Sequence, residues 1–450
     1  MSWNKWMGSM SAVLLFGVCA APAAERPNIL LILSDDQSWT DYSFMGHPDI
    51  KTPHIDKLAE GGVLFRRGYV ATPLCRPSLM NLVTGHYGHR NGITGNDPSK
   101  ERYNTSPEAY RKAKASLISK IDEFDTLPEL LVRQGYLTHQ SGKWWEGNYR
   151  RGGFTHGMTR GFPQKGGRHG DDGLKIGREG IQECTDFIDM ALAEEKPFFM
   201  WYAPFMPHSP HTPPERLLKK YKAEHPLSVA KYYAMCEWFD ETCGELLSYF
   251  EQKGILENTL VVYLSDNGWV QRTNSNSYAP RSKRTPYEAG ARQPTIFSWP
   301  AKLKPQDRPE PIISLDIFPT ILAAAGANPP AIPVPGLNLL PEMEKQKPIK
   351  RKAIFGECFA HDIADIKNPE ASLLYRWVIE GDWKLMLTYD GKGRDNRNHK
   401  ANMLGPQLFN LKNDPNEKNN LASGNSEKVS HLSTLIEGWY PLKERRVNSW

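Results

Sequence analysis

At 450 residues, 39% apolar and 24% charged, the chain has a soluble globular composition with room for one large core and a smaller second one. A formal net charge of +5 is mildly basic and compatible with an anionic ligand. With no Lys/Arg block and no base-stacking motif, it gives no support to nucleic-acid binding.

Residues 1–24 predict an export signal. Lys5 supplies a positive start, Ala12 to Ala21 a short apolar core, and Ala21-Pro22-Ala23-Ala24 small residues for cleavage. That core is too short to span a bilayer, and no later segment is apolar enough to cross one. The mature protein is therefore expected to be soluble and exported, to the periplasm or the extracellular space. Of six cysteines, Cys19 falls in the signal. Cys236 and Cys243 share a predicted helix, roughly 10 Å apart along its axis, and cannot bond to each other. Cys75 sits in a candidate nucleophile turn; one bridge among Cys184, Cys236, Cys243 and Cys358 stays open, but there is no disulfide framework.

Short apolar strands then alternate with helical stretches, which predicts an α/β fold with a mostly parallel central sheet and helices on both faces. Predicted strands are Asn28–Leu33, Tyr136–Gln140, Phe198–Ala203, Thr259–Leu264 and Thr295–Ser298. Predicted helices are Ser78–Thr84, Thr126–Gln134, Arg178–Ala193, Val229–Gln252 and Leu315–Ala325. The Gly- and charge-rich stretches 149–173 and 389–401 read as long loops. Prolines crowd 328–341 and mark a linker or a wrapped loop. Beyond it, Ala353–Glu357, Tyr375–Ile379 and Trp383–Thr388 predict a small antiparallel sheet and Val429–Trp439 a last helix. The expected division is a main domain over 25–341 and an α+β subdomain over 342–450.

Two strands end in oxygen ligands. Ser34-Asp35-Asp36 follows the run 29–33, and Ser265-Asp266-Asn267 follows 260–264. In a parallel sheet such tips share one edge, where open α/β folds build their sites. Three carboxylates and an amide suit Ca2+ or Mg2+ rather than zinc. Leu74-Cys75-Arg76-Pro77-Ser78 reads as a turn able to hold a nucleophile over the metal. Taken singly, each residue has a plainer account. The Asp pair suits a turn or cap, Cys75 a buried thiol, His208 a turn, and Lys143 and Lys283 surface charge.

Taken together, the pieces form a pattern. They are Asn28-Ile29-Leu30 with Asp35-Asp36, Thr52-Pro53-His54-Ile55-Asp56, Cys75-Arg76-Pro77-Ser78 with Thr84-Gly85, and Gly142-Lys143-Trp144. Pro207-His208, Ser265-Asp266-Asn267-Gly268, and Lys283 with Glu288-Ala289-Gly290 follow. Gln407-Leu408-Phe409-Asn410-Leu411 then leads to Asp414-Pro415 and Asn420-Leu421. In this order, from about Pro27 to Ala422, the chain resembles the sulfatase family of the alkaline-phosphatase superfamily.

The resemblance implies a sulfuric ester hydrolase in which Cys75 is oxidised to formylglycine by a formylglycine-generating enzyme. The hydrated aldehyde then supplies the attacking oxygen and releases sulfate on collapse. It implies Ca2+, ahead of Mg2+, held by Asp35, Asp36, Asp266, Asn267 and the modified Cys75. Lys143, His208 and Lys283 would grip the sulfate. Two positions depart from the pattern. Leu79 stands where the family carries an Arg that fixes the hydrate and guides modification, and Trp145 stands where a His assists collapse.

Three explanations stay open. One is a rebuilt pocket, with Arg76, Arg281, Arg284, His156, His169 or the pair Asp171-Asp172 as substitutes. Another is that Cys75 remains a thiol in a hydrolase of altered chemistry. Or catalysis is lost and the fold binds a sulfated glycan. A phosphate or phosphonate ester hydrolase is the competing enzyme. Export, mild basicity and polar loops favour a sulfated carbohydrate as partner. Trp144, Trp145, Trp201, Trp269 and Tyr278 are candidate stacking residues.

Overall fold

The computed structural model describes residues 26–389 and 405–442. The predicted signal and nearly all of the predicted loop 389–401 lie outside the described residues. The central sheet has eight strands. From one edge they run Gln306–Arg308, Val63–Phe65, Thr295–Ser298, Thr259–Ser265, Asn28–Ser34, Phe198–Ala203, Leu137–Gly142 and His156–Gly157. Thr295–Ser298 is antiparallel to both neighbours, and every other pairing is parallel.

Alternation along Asn28–Ser34 sends Ile29, Leu31 and Leu33 into one core and Leu30 and Ile32 into the other. Both faces are covered, so the strand reads as a continuous apolar run. Helices Cys75–Thr84, Leu127–Arg133 and Ile317–Ala325 pack on the first face. Pro53–Gly61, Gln182–Ala193 and Leu227–Gln252 pack on the second.

Some family motifs turn out to be structural. Thr52-Pro53-His54-Ile55 begins a helix whose free N–H groups at His54 and Ile55 are capped from afar by Asp240, at 3.2 and 2.8 Å. Gly268 lies so close to Glu288-Ala289-Gly290 that a Cβ there would sit 2.0 Å from the Ala289 carbonyl. The two motifs therefore clasp each other, with the Gly268 N–H donating to Gly290 at 2.8 Å.

The second sheet is an antiparallel meander of Ile354–Phe359, Leu373–Glu380, Trp383–Thr388 and Gln407–Asn410. Helix Ser426–Trp439 covers one face through Leu432 and Ile436. The other face packs on Tyr69, Tyr87, Tyr287 and Leu315 of the main body. Among the described residues all five cysteines are buried and free. None of the described helices is long and apolar enough to cross a membrane.

Candidate active site

The carboxyl ends of the middle strands converge. Ser34 is in register with Ser265, so Asp35-Asp36 and Asp266-Asn267 leave the sheet side by side. Asp35 continues the pairing beyond its strand, its N–H donating to the Met206 carbonyl at 3.0 Å, and this brings His208 over the same edge. Lys143 follows Leu137–Gly142. Gly142 has φ +83°, and a Cβ there would lie 1.8 Å from the Ala203 oxygen, so only glycine allows this exit. Cys75 opens the helix Cys75–Thr84 as its first residue, rather than lying in a turn before a helix at Ser78. Pro77 is tolerated in that first turn because its missing N–H would have no intrahelical partner.

Every predicted site residue meets at this edge, and all except the partly exposed His208 are buried. Lys143 Nζ bridges Asp35 Oδ1 at 2.5 Å and Asp266 Oδ2 at 3.2 Å. Lys283 Nζ joins Asp36 Oδ1 at 2.5 Å to Cys75 Sγ at 3.2 Å. Asn267 Nδ2 donates to Asp36 Oδ1 at 2.7 Å, and the Asp36 N–H donates to Asp266 Oδ1 at 3.1 Å.

Burial raises Asp35 to about 6 and Asp266 to about 7, against the opposing pull of Lys143. Burial also works against Asp36, but Lys283, His208 and Lys143 outweigh it and hold Asp36 at about 2. Burial pushes the Cys75 thiol up to about 11 despite the two lysines. Burial would lower Lys143 and Lys283, yet the surrounding carboxylates raise both.

The donor set fits a hard cation. Asp35 Oδ2, Asp36 Oδ2 and Asn267 Oδ1 are buried acceptors without a hydrogen-bond partner in the protein. His208 sharpens the point. Its Nδ1 must carry the proton, because it lies 2.6 Å from the Ser209 carbonyl. Burial drops the imidazole to about 3 despite Asp36, so Nε2 is a bare lone pair 3.3 Å from Asp36 Oδ2. Two acceptors facing each other require a proton or a cation between them. Ligand atoms of Asp35, Asp36, Cys75 and His208 all lie within 4.8 Å of one another. Both oxygens of Asp266 are already engaged, which sets it apart from Asp35, Asp36 and Asn267, each of which keeps an oxygen free of hydrogen bonds.

The structure sorts the proposed substitutes for the missing Arg and His. Leu79 and Trp145 lie in the same apolar core as Cys75. Arg76 turns to Glu146, with which it forms a bidentate pair at 2.7 and 2.6 Å. Arg281 bonds the Glu417 carbonyl and covers the Tyr287 ring at 4.0 Å. Arg284 bonds the Tyr278 hydroxyl at 3.0 Å. His156 sits on the edge strand against Phe187, away from the cluster. Asp171 accepts from the N–H groups of Arg160 and Gly161, while Asp172 pairs with Arg160 and Lys175, so neither is a proton-transfer partner. His169 alone stays beside the site, its ring 5.3 Å from those of both Trp145 and Phe205.

The stacking expectation is corrected in part. Trp144 and Trp201 are core anchors packed edge to face, and Trp145 turns its face to the Lys143 ammonium at 5.1 Å. Trp269, 5.6 Å from the Lys283 ammonium, contacts Tyr278 at the same rim. Several residues escaped the sequence reading. Phe205 stacks on His208 at 4.3 Å, and Arg178 fastens that loop through the carbonyls of Phe205 and His208. Asn96 accepts from the Arg76 N–H at 3.1 Å, and His211 is buried against Trp269. A second Pro-His, Pro210-His211 after Pro207-His208, is a signal that could have pointed to His211.

With fold and site in place, comparison with known proteins is decisive for the class. The sulfatase family model matches residues 27–327, and the model for the C-terminal part of N-sulphoglucosamine sulphohydrolase matches residues 278–437. The chain belongs to the sulfatase family of sulfuric ester hydrolases, on an alkaline-phosphatase-like fold. N-acetylgalactosamine-6-sulfatase of Canis lupus familiaris is 28% identical, covering 96% of this chain and 91% of its own length. Arylsulfatase A of Homo sapiens is 27% identical, covering 93% and 88%. Ps i-CgsB, solved in complex with k-i-k-neocarrahexaose, is similar with a TM-score of 0.70 at 25% identity, over 92% of each chain. The phosphonate monoester hydrolase of Agrobacterium radiobacter shares the fold, with a TM-score of 0.64 at 20% identity over 94% of this chain and 100% of its own.

Proposed function

We propose that this protein is an exported, Ca2+-dependent sulfatase that cleaves sulfate esters of a sulfated carbohydrate, with formylglycine made from Cys75 as nucleophile. Residues 25–341 would carry the catalytic centre and 342–450 would close one side of it. The reading rests on the charge of the buried cluster. With all three carboxyls ionised, the form a bound cation would favour, Asp35, Asp36 and Asp266 against Lys143 and Lys283 leave one net negative charge. One divalent cation converts that to one net positive charge, the complement of a sulfate monoester, which carries a single negative charge. A phosphate monoester dianion is matched less well. The relatives' names point to carbohydrate sulfates, and the signal-like residues 1–24 agree with export.

Asp35, Asp36, Asn267 and Asp266 would hold the cation. When bound, the cation and the formylglycine hydrate supply an activated oxygen nucleophile at position 75. Lys143 and Lys283 flank that position and donate to sulfate oxygens as charge builds there, in a buried pocket where such donors act strongly. His208, with Nδ1 tied to Ser209, keeps its Nε2 directed at the same edge, where a proton on that nitrogen would let it grip a sulfate oxygen. Ordered donors at both ends hold the sulfur in line without further reorganisation.

The test uses protein coproduced with a formylglycine-generating enzyme. Sulfate release is screened across sulfated oligosaccharides, with matched aryl sulfate and aryl phosphate esters alongside, and the peptide containing Cys75 is weighed. Sulfate release with aldehyde or hydrate mass at position 75 is expected. An intact thiol in active protein would remove the formylglycine step. Binding without release would leave a glycan-binding protein, and faster phosphate cleavage would favour the phosphoryl alternative.

A further inference from the structure

We propose that the buried ion pair Arg76–Glu146 is a positioning device that fixes residue 75 relative to Lys143, replacing the anchor that Leu79 cannot provide. The inference rests on the reading of Cys75 as the nucleophile position. Residue 75 starts its helix, where the chain has few intrahelical bonds to hold it. One turn on, Leu79 faces the apolar core and offers no hydrogen bond. The anchor is shifted to the neighbouring residue.

Arg76 is held at three points. Its N–H donates to Asn96 Oδ1 at 3.1 Å, its Nη1 to the Asn96 carbonyl at 3.1 Å, and its Nε and Nη2 to the two Glu146 oxygens at 2.7 and 2.6 Å. The planar fork fixes orientation as well as distance. Glu146 lies three residues after Lys143, whose ammonium bridges Asp35 and Asp266. The ion pair thus joins the helix bearing residue 75 to the segment bearing Lys143. Sliding or rotating that helix would break two parallel bonds at once.

Stability alone does not require such a pair. Both side chains are about 4% exposed, and a buried ion pair can usually be exchanged for apolar residues of similar volume without loss. Its placement one residue from the nucleophile position and three from a sulfate-gripping lysine is what a positioning role demands. Both departures from the family pattern, Leu79 and Trp145, fall in the two segments that it joins.

The test compares the wild type with R76M, E146L, R76M/E146L and R76K. Each single apolar variant leaves one buried charge unpaired and should lower the melting midpoint, whereas the double variant should recover most of it. If the pair positions residue 75, crystal structures of the double variant should show Cys75 Sγ displaced by about 1 Å relative to Asp35 and Asp266. Its kcat should fall about 10- to 100-fold with KM within about threefold of wild type. R76K, which keeps the charge but loses the fork, should fall between. Residue 75 unmoved, or wild-type kcat, in the double variant would overturn the proposal. Should the double variant not fold, R76K decides by the same two readouts. A wild type that releases no sulfate would count against the sulfatase reading alone, and the crystallographic comparison would still decide the role of the pair.

Discussion

At the scale of single residues, the site is a problem of buried charge. An isolated carboxylate in such a place would protonate; burial does raise Asp35 and Asp266, and two ammoniums standing among the three carboxyls oppose it. Asp36 is the hinge of this balance. It takes the Lys283 ammonium and the Asn267 amide on one oxygen and faces His208 with the other, at a φ of 67° that Asp tolerates better than most residues. Asp36→Asn should weaken Ca2+ binding by at least about tenfold, or 1.4 kcal/mol, in a calorimetric titration. Unchanged affinity would remove Asp36 from the ligand set. Asp35, Asp36, Asp266 and Asn267 were legible as candidates from residue type and position after a strand, and Cys75 from the turn between them, whereas Lys143, His208 and Lys283 stood out only through the family resemblance. Glu146 and Asn96 were not legible, because their shared partner Arg76 lies 70 and 20 residues away in the chain, and Phe205 was not, because nothing in the local sequence marks its ring for His208.

At the scale of elements, the middle strands were readable because burial on both faces writes them as uninterrupted apolar runs. The predicted Phe198–Ala203 and Thr295–Ser298 coincide with the observed strands. Short strands at or beside the sheet edge, such as Gln306–Arg308 and Val63–Phe65, have too few residues to show a pattern, and the helix Pro53–Gly61 draws its cap from Asp240 on a distant element. The helix at Cys75 begins three residues earlier than expected, since Pro77 reads locally as a helix start while tertiary contacts through Asn96 extend the turn backwards. Strand exits are where elements act on the site. Gly142 lets the chain turn against Ala203, with the Lys143 N–H bonded to that carbonyl at 2.8 Å. Gly142→Ala combines a disallowed approach with a positive φ and should cost roughly 2–3 kcal/mol. The check is chemical denaturation of the variant beside wild type. Equal midpoints would mean that the exit is not constrained as described, and a loss of sulfate release larger than the loss of stability would locate the damage at Lys143.

At the scale of the whole molecule, the small sheet is fastened to the catalytic edge by charge as well as by apolar packing. Lys384, on the strand Trp383–Thr388 and fully buried, lies 3.0 Å from both Glu288 and Glu417. Glu417 in turn accepts the Glu288 N–H, and its carbonyl accepts from Arg281, so the segment bearing Lys283 is held at both ends. The sequence showed the sheet and its helix but not this seam, because a lysine in an alternating strand reads as a solvent-facing residue. Burial raises Glu417 to about 7, and Glu288 adds to that while Lys384 opposes it. A carboxyl whose folded pKa lies above its unfolded value binds its proton more tightly in the native state. Its contribution is therefore fully present below the unfolded value near 4.5 and is lost as pH rises through about 7. Lys384→Met removes the cation shared by two buried carboxylates and should destabilise the protein by about 3–5 kcal/mol at pH 8. Lowering the pH to about 5.5 protonates Glu417 and should restore part of that loss, so the gap in melting midpoint between variant and wild type narrows on acidification. Melting curves of both proteins at the two pH values decide the matter: a gap that stays constant or widens in acid would mean that Lys384 does not hold ionised carboxylates across the seam.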